Sequence, residues 1–215
     1  MNNLSSYGDS SYEFIPDNKP VDDLKLKILE DLRVSKPKVK NVEWQDEIAI
    51  PKDNWWTKSA VENIETPIGR SGRTDKLDNR YGARQNEGGR PCSHGMLGAM
   101  TDSGKSNLYH VLILGMAIRY SPKELTFYLI DGKDGVEFLP YKYLHHAQFV
   151  SLKSQPKLSR SILAELLEEK ERRNNLFTSY QVNDYESFRR HDAATEVLPR
   201  ILLMVDEYQE LLEGD

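Results

Sequence analysis

A Ser103-Gly104-Lys105-Ser106 run at the junction of an expected strand and an apolar, helically periodic segment is the feature that most narrows the folds open to this chain. From Lys105 to Arg119, the residues Leu108, Val111, Leu112, Met116 and Ile118 give a broad apolar face with the spacing of a helix. A phosphate-binding loop needs backbone N–H groups turned inward, a Gly for close approach, a Lys to reach terminal phosphates and a hydroxyl to ligate Mg²⁺. The helix that follows presents its positive end to the same anion. Lys105 and Ser106 fit the Lys and hydroxyl roles. The full pattern G-x-x-x-x-G-K-[ST] is altered, however: Ala99 stands where its first Gly belongs, and Gly98 falls one place early. Asp102 adds a carboxylate to the loop, which is unfavourable beside a triphosphate unless it points outward or meets Mg²⁺.

Two further segments fit the same chemistry. Ile201–Val205 (ILLMV) reads as the strongest strand in the chain and ends at Asp206-Glu207. In that arrangement the Asp orders a Mg²⁺ ion and the Glu polarises an attacking water; an ordinary buried strand meeting solvent gives the same pattern. Leu125–Ile130 (LTFYLI) is a buried-strand candidate ending in Asp131 and continuing as Gly132-Lys133-Asp134-Gly135. Ligands of open α/β sheets sit at the carboxyl ends of strands, so the three segments converge on one edge. Their joint occurrence is far more specific than any one of them.

The remaining chain supplies context. Residues 1–40 read as a flexible tail and linker with a short helix over Val21–Val34, bearing Leu24, Leu26, Leu29 and Leu32, followed by a basic linker over Lys36–Lys40. Residues 41–90 read as a small extension and lead-in. Trp44, Trp55 and Trp56 there either stack on bases or pack the extension onto the main domain. Lys52–Arg90 holds eight basic and six acidic residues, including Arg70, Arg73, Arg80, Arg84 and Arg90; this suits either weak phosphate contact or a plain hairpin. Residues 91–215 form the expected core, with an amphipathic helix over Ser159–Tyr180 (Ile162, Leu163, Leu166 and Leu167 on one face) and a helical turn over Asp184–Arg190. The net charge of −5 excludes a uniformly basic nucleic-acid binder. No apolar run is long enough to span a membrane. The lone Cys92 excludes an internal disulfide and favours a cytoplasmic setting; its neighbour His94 raises a Cys/His nucleophile against an incidental thiol.

Several stretches carry a family resemblance. His94–Leu108 (HGMLGAMTDSGKSNL) looks like the Walker A segment of the FtsK/SpoIIIE family. Tyr128–Phe138 (YLIDGKDGVEF) is similar to that family's strand-Asp-x-Lys stretch, and Pro199–Gln209 (PRILLMVDEYQ) to its Walker B. Leu112–Leu125 and Pro67–Arg70 extend the resemblance, which covers roughly residues 64–213. It implies a RecA-like P-loop NTPase with a three-layer α/β/α core. It implies ATP and Mg²⁺ as cofactors, a homo-oligomeric (often hexameric) ring, and double-stranded DNA as the partner moved. By position, Ala99, Met100, Thr101, Asp102, Ser103, Gly104, Lys105, Ser106 and Asn107 would line the phosphates. Ser106 and Asp206 would serve the metal, and Glu207 and Lys105 the catalysis. With nine residues after Asp206, the chain reads as the N-terminal part of a motor domain, and poor hydrolysis is expected of it alone.

Two rival readings stand beside the DNA motor. One is a type VII secretion-like ATPase that moves protein. The other is a non-catalytic nucleotide-binding or assembly module whose altered loop no longer turns nucleotide over. A small nucleotide kinase is disfavoured, since neither its lid arginines nor its short gap from loop to substrate site is evident.

Overall fold

The computed structural model describes residues 23, 24, 26, 27, 29, 30, 43–71, 75–82, 92–100, 103–132, 136–151 and 156–211. By Cα proximity the chain divides into two units, Met1–Asn41 and Val42–Asp215. In the first, the described residues of 23–30 are helical and exposed, Leu24, Leu26 and Leu29 among them. The basic linker Lys36–Lys40, Leu32, and the basic residues Arg73, Arg84 and Arg90 lie outside the described residues.

The second unit is mixed α/β and is built on a parallel sheet. Its elements, in order, are a short helix α1 (Trp44–Glu47), strands β1 (Asn63–Ser71) and β2 (Asp75–Gly82), and helix α2 (Lys105–Arg119). Strand β3 (Leu125–Asp131), strand β4 (Ala147–Val150), helices α3 (Pro156–Ser179) and α4 (Tyr185–Arg189), and strand β5 (Arg200–Asp206) follow. β1 and β2 form an antiparallel hairpin, so the Gly- and Arg-rich lead-in takes its plainer reading. Its register shifts between Pro67 and Gly69, where proline has no N–H to give the ladder. The three-stranded sheet has the order β4-β3-β5 with both pairings parallel. β3 is central because its run of apolar residues can be buried on both faces; only Tyr128 is part-exposed.

Helix α2 starts where Gly104 takes a left-handed φ of +92°. It ends before Tyr120, which is extended, and Pro122 forbids its renewal. Arg119 closes it: the buried guanidinium donates to Gly115 O at 2.8 Å and to Ile48 O at 2.7 Å. Leu112, Ile113, Met116 and Ala117 of α2 pack with Leu125, Phe127 and Leu129 of β3, Phe138 and Ile64 into the main core. Trp56 donates its indole N–H to Ala117 O at 3.0 Å, and Trp55 donates to Ile50 O at 3.2 Å; their indole N–H groups are spent on the fold.

Two expectations change. The stretch before the phosphate loop, Cys92–Met100, forms no strand beyond a single bridge to Gly82, and all its side chains are exposed. It contains Gly95 and Gly98 and no β-branched residue, so it gains little from extension. The apolar stripe of α3 is also narrower than Leu163 and Leu167 suggested: both are exposed, whereas Ile162 is buried and Leu166, Glu169 and Arg173 are part-buried. The inward stripe follows the i, i+4, i+7, i+11 spacing, which turns Leu163 and Leu167 towards solvent.

α3 is joined to the start of β5 through charge. Glu169 accepts from Arg172 and from Arg173 Nε, both at 2.6 Å, and Arg173 Nη1 donates to Pro199 O at 2.8 Å. The hydrogen bonds from Arg172, then Arg173, hold the Glu169 carboxyl down at about 2. Because the folded value is depressed below the ordinary 4.5, this contribution is complete above 4.5 and is lost as pH falls through about 2. Glu169→Gln is therefore expected to lower urea stability at about pH 6, with the gap to the parent closing towards about pH 2. A gap that is the same at both pH values contradicts the assignment.

Candidate functional site

Backbone register builds the site. Parallel pairing sets Asp131 beside Asp206, so β3 and β5 end level. The chain then turns sharply at both ends. Gly132 donates its N–H to Asp206 O at 2.9 Å, and a Cβ at Gly132 would stand inside contact distance of the Glu207 carbonyl. Glu207 itself has φ +49°, a left-handed conformation that a residue with a Cβ adopts at a cost of about 1–3 kcal/mol. Such strain is tolerated where a side chain must be aimed.

Helix α2 points its first turn at these strand ends. Lys105, the first residue of the helix, lies 2.8 Å from Asp206 Oδ1 and also pairs with Glu207 Oε1. The Asp206 side chain is 9% exposed and that of Glu207 31%, so one carboxylate is held inside and the other meets solvent. Gln209 donates to the second Glu207 oxygen. Hydrogen bonds to Asp206 and then Glu207 raise the Lys105 ammonium well above its ordinary value. Tyr109, one turn further along, donates to Val205 O at 3.3 Å; burial and then the Asp206 charge push its hydroxyl up.

The sequence-derived site residues divide into three described groups and one pair outside the described residues. Lys105, Asp206 and Glu207 come together across a separation of about a hundred residues. Ser103, Gly104, Ser106 and Asn107 follow the chain into the head of α2. There, Ser103 N and Oγ donate to Met100 O at 3.2 and 2.5 Å, and Ser106 is part-buried in the first turn. Ala99 and Met100 are exposed on the segment leading in, with Met100 84% exposed. Thr101 and Asp102 lie outside the described residues, as do Lys133, Asp134 and Gly135. Cys92 is exposed and its thiol donates to His94 O at 3.4 Å, a contact with the backbone carbonyl of His94 and not with its imidazole.

Residues that sequence reasoning missed surround this centre. His110, Glu137 and Tyr141 converge beside the head of α2, and Gly132 braces the end of β5. The only signal for the first three was the placement of a His and a Glu within otherwise apolar runs.

The donor set fits a nucleotide triphosphate with Mg²⁺. It offers an ammonium, the N–H groups of a helix start, a hydroxyl and two carboxylates within one small region. Among the described residues no group of three or more His, Cys, Asp and Glu forms a protein-only metal cage. A Mg²⁺ bound with phosphates needs only one or two carboxylates. A cavity of about 520 Å³ lies elsewhere, along β5 and α3 and lined by Tyr81, His94, Phe177 and Tyr185; none of the expected nucleotide residues borders it. Phosphates bound on a loop and helix start need no enclosed chamber.

The comparisons with known proteins point the same way. The FtsK/SpoIIIE family model matches residues 47–211. The ESX secretion system protein EccC of Geobacillus thermodenitrificans (strain NG80-2) is 30% identical over 163 residues, covering 74% of this chain and 11% of that protein. The ESX secretion system protein YukB of Bacillus subtilis (strain 168) is 31% identical over 170 residues, covering 77% and 11%. Among solved structures, the cytoplasmic domain of the Thermomonospora curvata type VII secretion ATPase EccC matches with a TM-score of 0.66 and 26% identity. That match covers 80% of this chain and 21% of that one. The chain thus spans a small part of these relatives' lengths.

These relatives correct one expectation. Double-stranded DNA, threaded by a homo-oligomeric ring, is not the partner: the relatives are secretion-system proteins. Two of the basic residues that had suggested phosphate contact are occupied within the fold. Arg70 pairs with Glu47, and Arg80 pairs with Glu65 at 2.5 Å.

The Lys105 contact has a direct test. Lys105→Met leaves Asp206 and Glu207 without their shared cation and is expected to cost about 1–3 kcal/mol at neutral pH, read from the urea midpoint. Added salt should recover part of that loss by screening the two carboxylates from each other. A variant as stable as the parent at low salt contradicts the pairing.

Proposed function

Because this chain belongs to the FtsK/SpoIIIE family, we propose that residues 47–211 are the nucleotide-binding part of a secretion-type ATPase that couples ATP turnover to the movement of a protein substrate. The observation that carries this reading is the meeting of Lys105 with Asp206 and Glu207 at the level ends of two parallel strands. The choice of protein as the substrate is supported by the relatives, which are named as secretion-system proteins over most of this chain's length. A cytoplasmic setting is supported by the structural neighbour, which is a cytoplasmic domain. Among the described residues no helix is long and apolar enough to cross a membrane.

The roles follow from chemistry. Lys105 carries a fixed positive charge at the helix start and is the group to meet β- and γ-phosphate oxygens. The N–H groups of Gly104 to Asn107 would add hydrogen bonds to the same oxygens. Ser106 and Asp206 would hold Mg²⁺, which supplies charge neutralisation on the phosphates. Glu207 is placed beside Asp206 with its carboxylate part-exposed, where it can orient and accept a proton from an attacking water. Ala99 removes the first glycine of the loop, so its contribution to phosphate contact is the weakest of the set.

Isothermal calorimetry with Mg²⁺ and ATP tests the reading. The chain is expected to bind nucleotide, and Lys105→Ala is expected to weaken that binding about ten- to a hundredfold, the worth of one charge-assisted hydrogen bond. Turnover should rise with an unfolded secreted peptide and not with duplex DNA. Binding that is unchanged in Lys105→Ala, or stimulation by DNA alone, overturns it.

A further inference from the structure

The contacts around the head of α2 close into a ring. Lys105 pairs with Asp206 at 2.8 Å. The Asp206 carbonyl accepts from Gly132 N at 2.9 Å. Gly132 is bonded in sequence to Asp131, whose Oδ2 accepts from Glu137 N at 3.1 Å. Glu137 Oε1 lies 3.4 Å from His110 Nε2. His110 is five residues beyond Lys105 on the same helix, which returns the ring to its origin about 7.5 Å along the helix axis.

Within this ring two links join side chain to side chain, Lys105 with Asp206 and Glu137 with His110. Glu137 Oε1 is buried and makes no hydrogen bond among the described residues, and the contact it makes is with His110 Nε2, 3.4 Å away. His110 is oriented from its other nitrogen: Nδ1 lies 2.6 Å from Tyr141 Oη, and Tyr141 is buried. Beside it, Tyr109 packs edge-on against Phe138 at 5.5 Å between ring centres. Two adjacent residues of α2 therefore grip the segment that follows β3, which carries the exposed side chains of Val136, Leu139 and Tyr143.

We propose that Glu137 and His110 are a positioning pair that couples the nucleotide state of the Lys105 site to the segment 136–144. This rests on the nucleotide-binding reading given above. When phosphates engage Lys105, its pairing with Asp206 and Glu207 is shared or released. The ring is then relieved at that contact, and the remaining contacts redistribute between the strand ends and α2. Without the Glu137–His110 contact the segment stays attached by sequence, by the His110–Tyr141 hydrogen bond and by Tyr109 packing, but the link from Asp131 through Glu137 to α2 is broken. A bistable contact that both ends bias is the physical requirement for such coupling.

Hydrogen exchange read by mass spectrometry on the full chain, with and without Mg²⁺ and the non-hydrolysable analogue AMP-PNP, tests this. In the parent, nucleotide is expected to change exchange across 136–144. In Glu137→Gln, His110→Ala and the milder His110→Gln, that nucleotide-dependent ratio should shrink by about two- to thirtyfold. Affinity for the analogue should stay within about threefold, since neither residue touches phosphate. A merely structural role would shift exchange equally with and without nucleotide. A ratio unchanged in the variants, or no change in a parent that binds the analogue, overturns the coupling. A parent with no affinity for the analogue overturns the proposed function itself, and this inference with it.

Discussion

The ammonium of Lys105 resting on Asp206 and Glu207 is the contact on which the rest of the site depends. It joins the first turn of α2 to the end of β5, two elements about a hundred residues apart in sequence. A lysine between two carboxylates is stable only if its surroundings hold all three groups in place, because each charge loses hydration there. The parallel register of β3 with β5 fixes the carboxylates. The left-handed φ of Gly104 fixes the helix start, and the left-handed Glu207 aims the outer carboxylate. A phosphate chain and a divalent cation bound at this place would compete for the same ammonium and the same carboxylates.

Around this centre, buried charge holds the frame. Arg200 donates to the carbonyls of Ala60, Val61 and Glu62 and lies over the Tyr185 ring, so the lead-in hairpin is tied to the start of β5. Burial pushes its guanidinium down, and the Tyr185 side chain in part opposes that shift. Arg189 pairs with Glu124 at 2.6 Å, while Glu124 also accepts from Ala60 N, so α4, the turn before β3 and the lead-in meet at one carboxylate. Each arginine satisfies several acceptors at once, which suits its planar fork of donors and would be lost on exchange for lysine. These arginines hold the starts of β3 and β5, at the opposite end of the strands from Asp131 and Asp206.

Much of this was legible from residues alone, and the reasons are specific. α2, β3 and β5 were readable because LTFYLI and ILLMV are continuous apolar runs and Lys105–Arg119 has helical periodicity closed by Ser121-Pro122. The convergence of Lys105 with Asp206 and Glu207 followed from the order of motifs and the rule that ligands meet strands at their carboxyl ends. β4 was not readable: Ala147–Val150 is four residues long with an exposed Gln148, too short to show alternation. The absence of a regular strand over Cys92–Met100 ran against expectation, since motif position suggested a strand where the glycines argued against one. The ring through Glu137 and His110 was invisible because it arises from packing of a connecting segment on a helix, which no periodicity encodes. The class of substrate was also beyond the residues, since the same ATPase frame serves different cargoes; the relatives, named as secretion-system proteins, bear on it where periodicity does not.

An experimental structure of this chain with Mg²⁺ and a non-hydrolysable ATP analogue is the most direct measurement of the central claim. It is expected to show the Lys105 amine on terminal phosphate oxygens and a divalent cation between those oxygens and the Asp206 carboxylate. The Glu207 carboxylate should face the terminal phosphate. An analogue bound elsewhere, with Lys105 still held by both carboxylates, would contradict it.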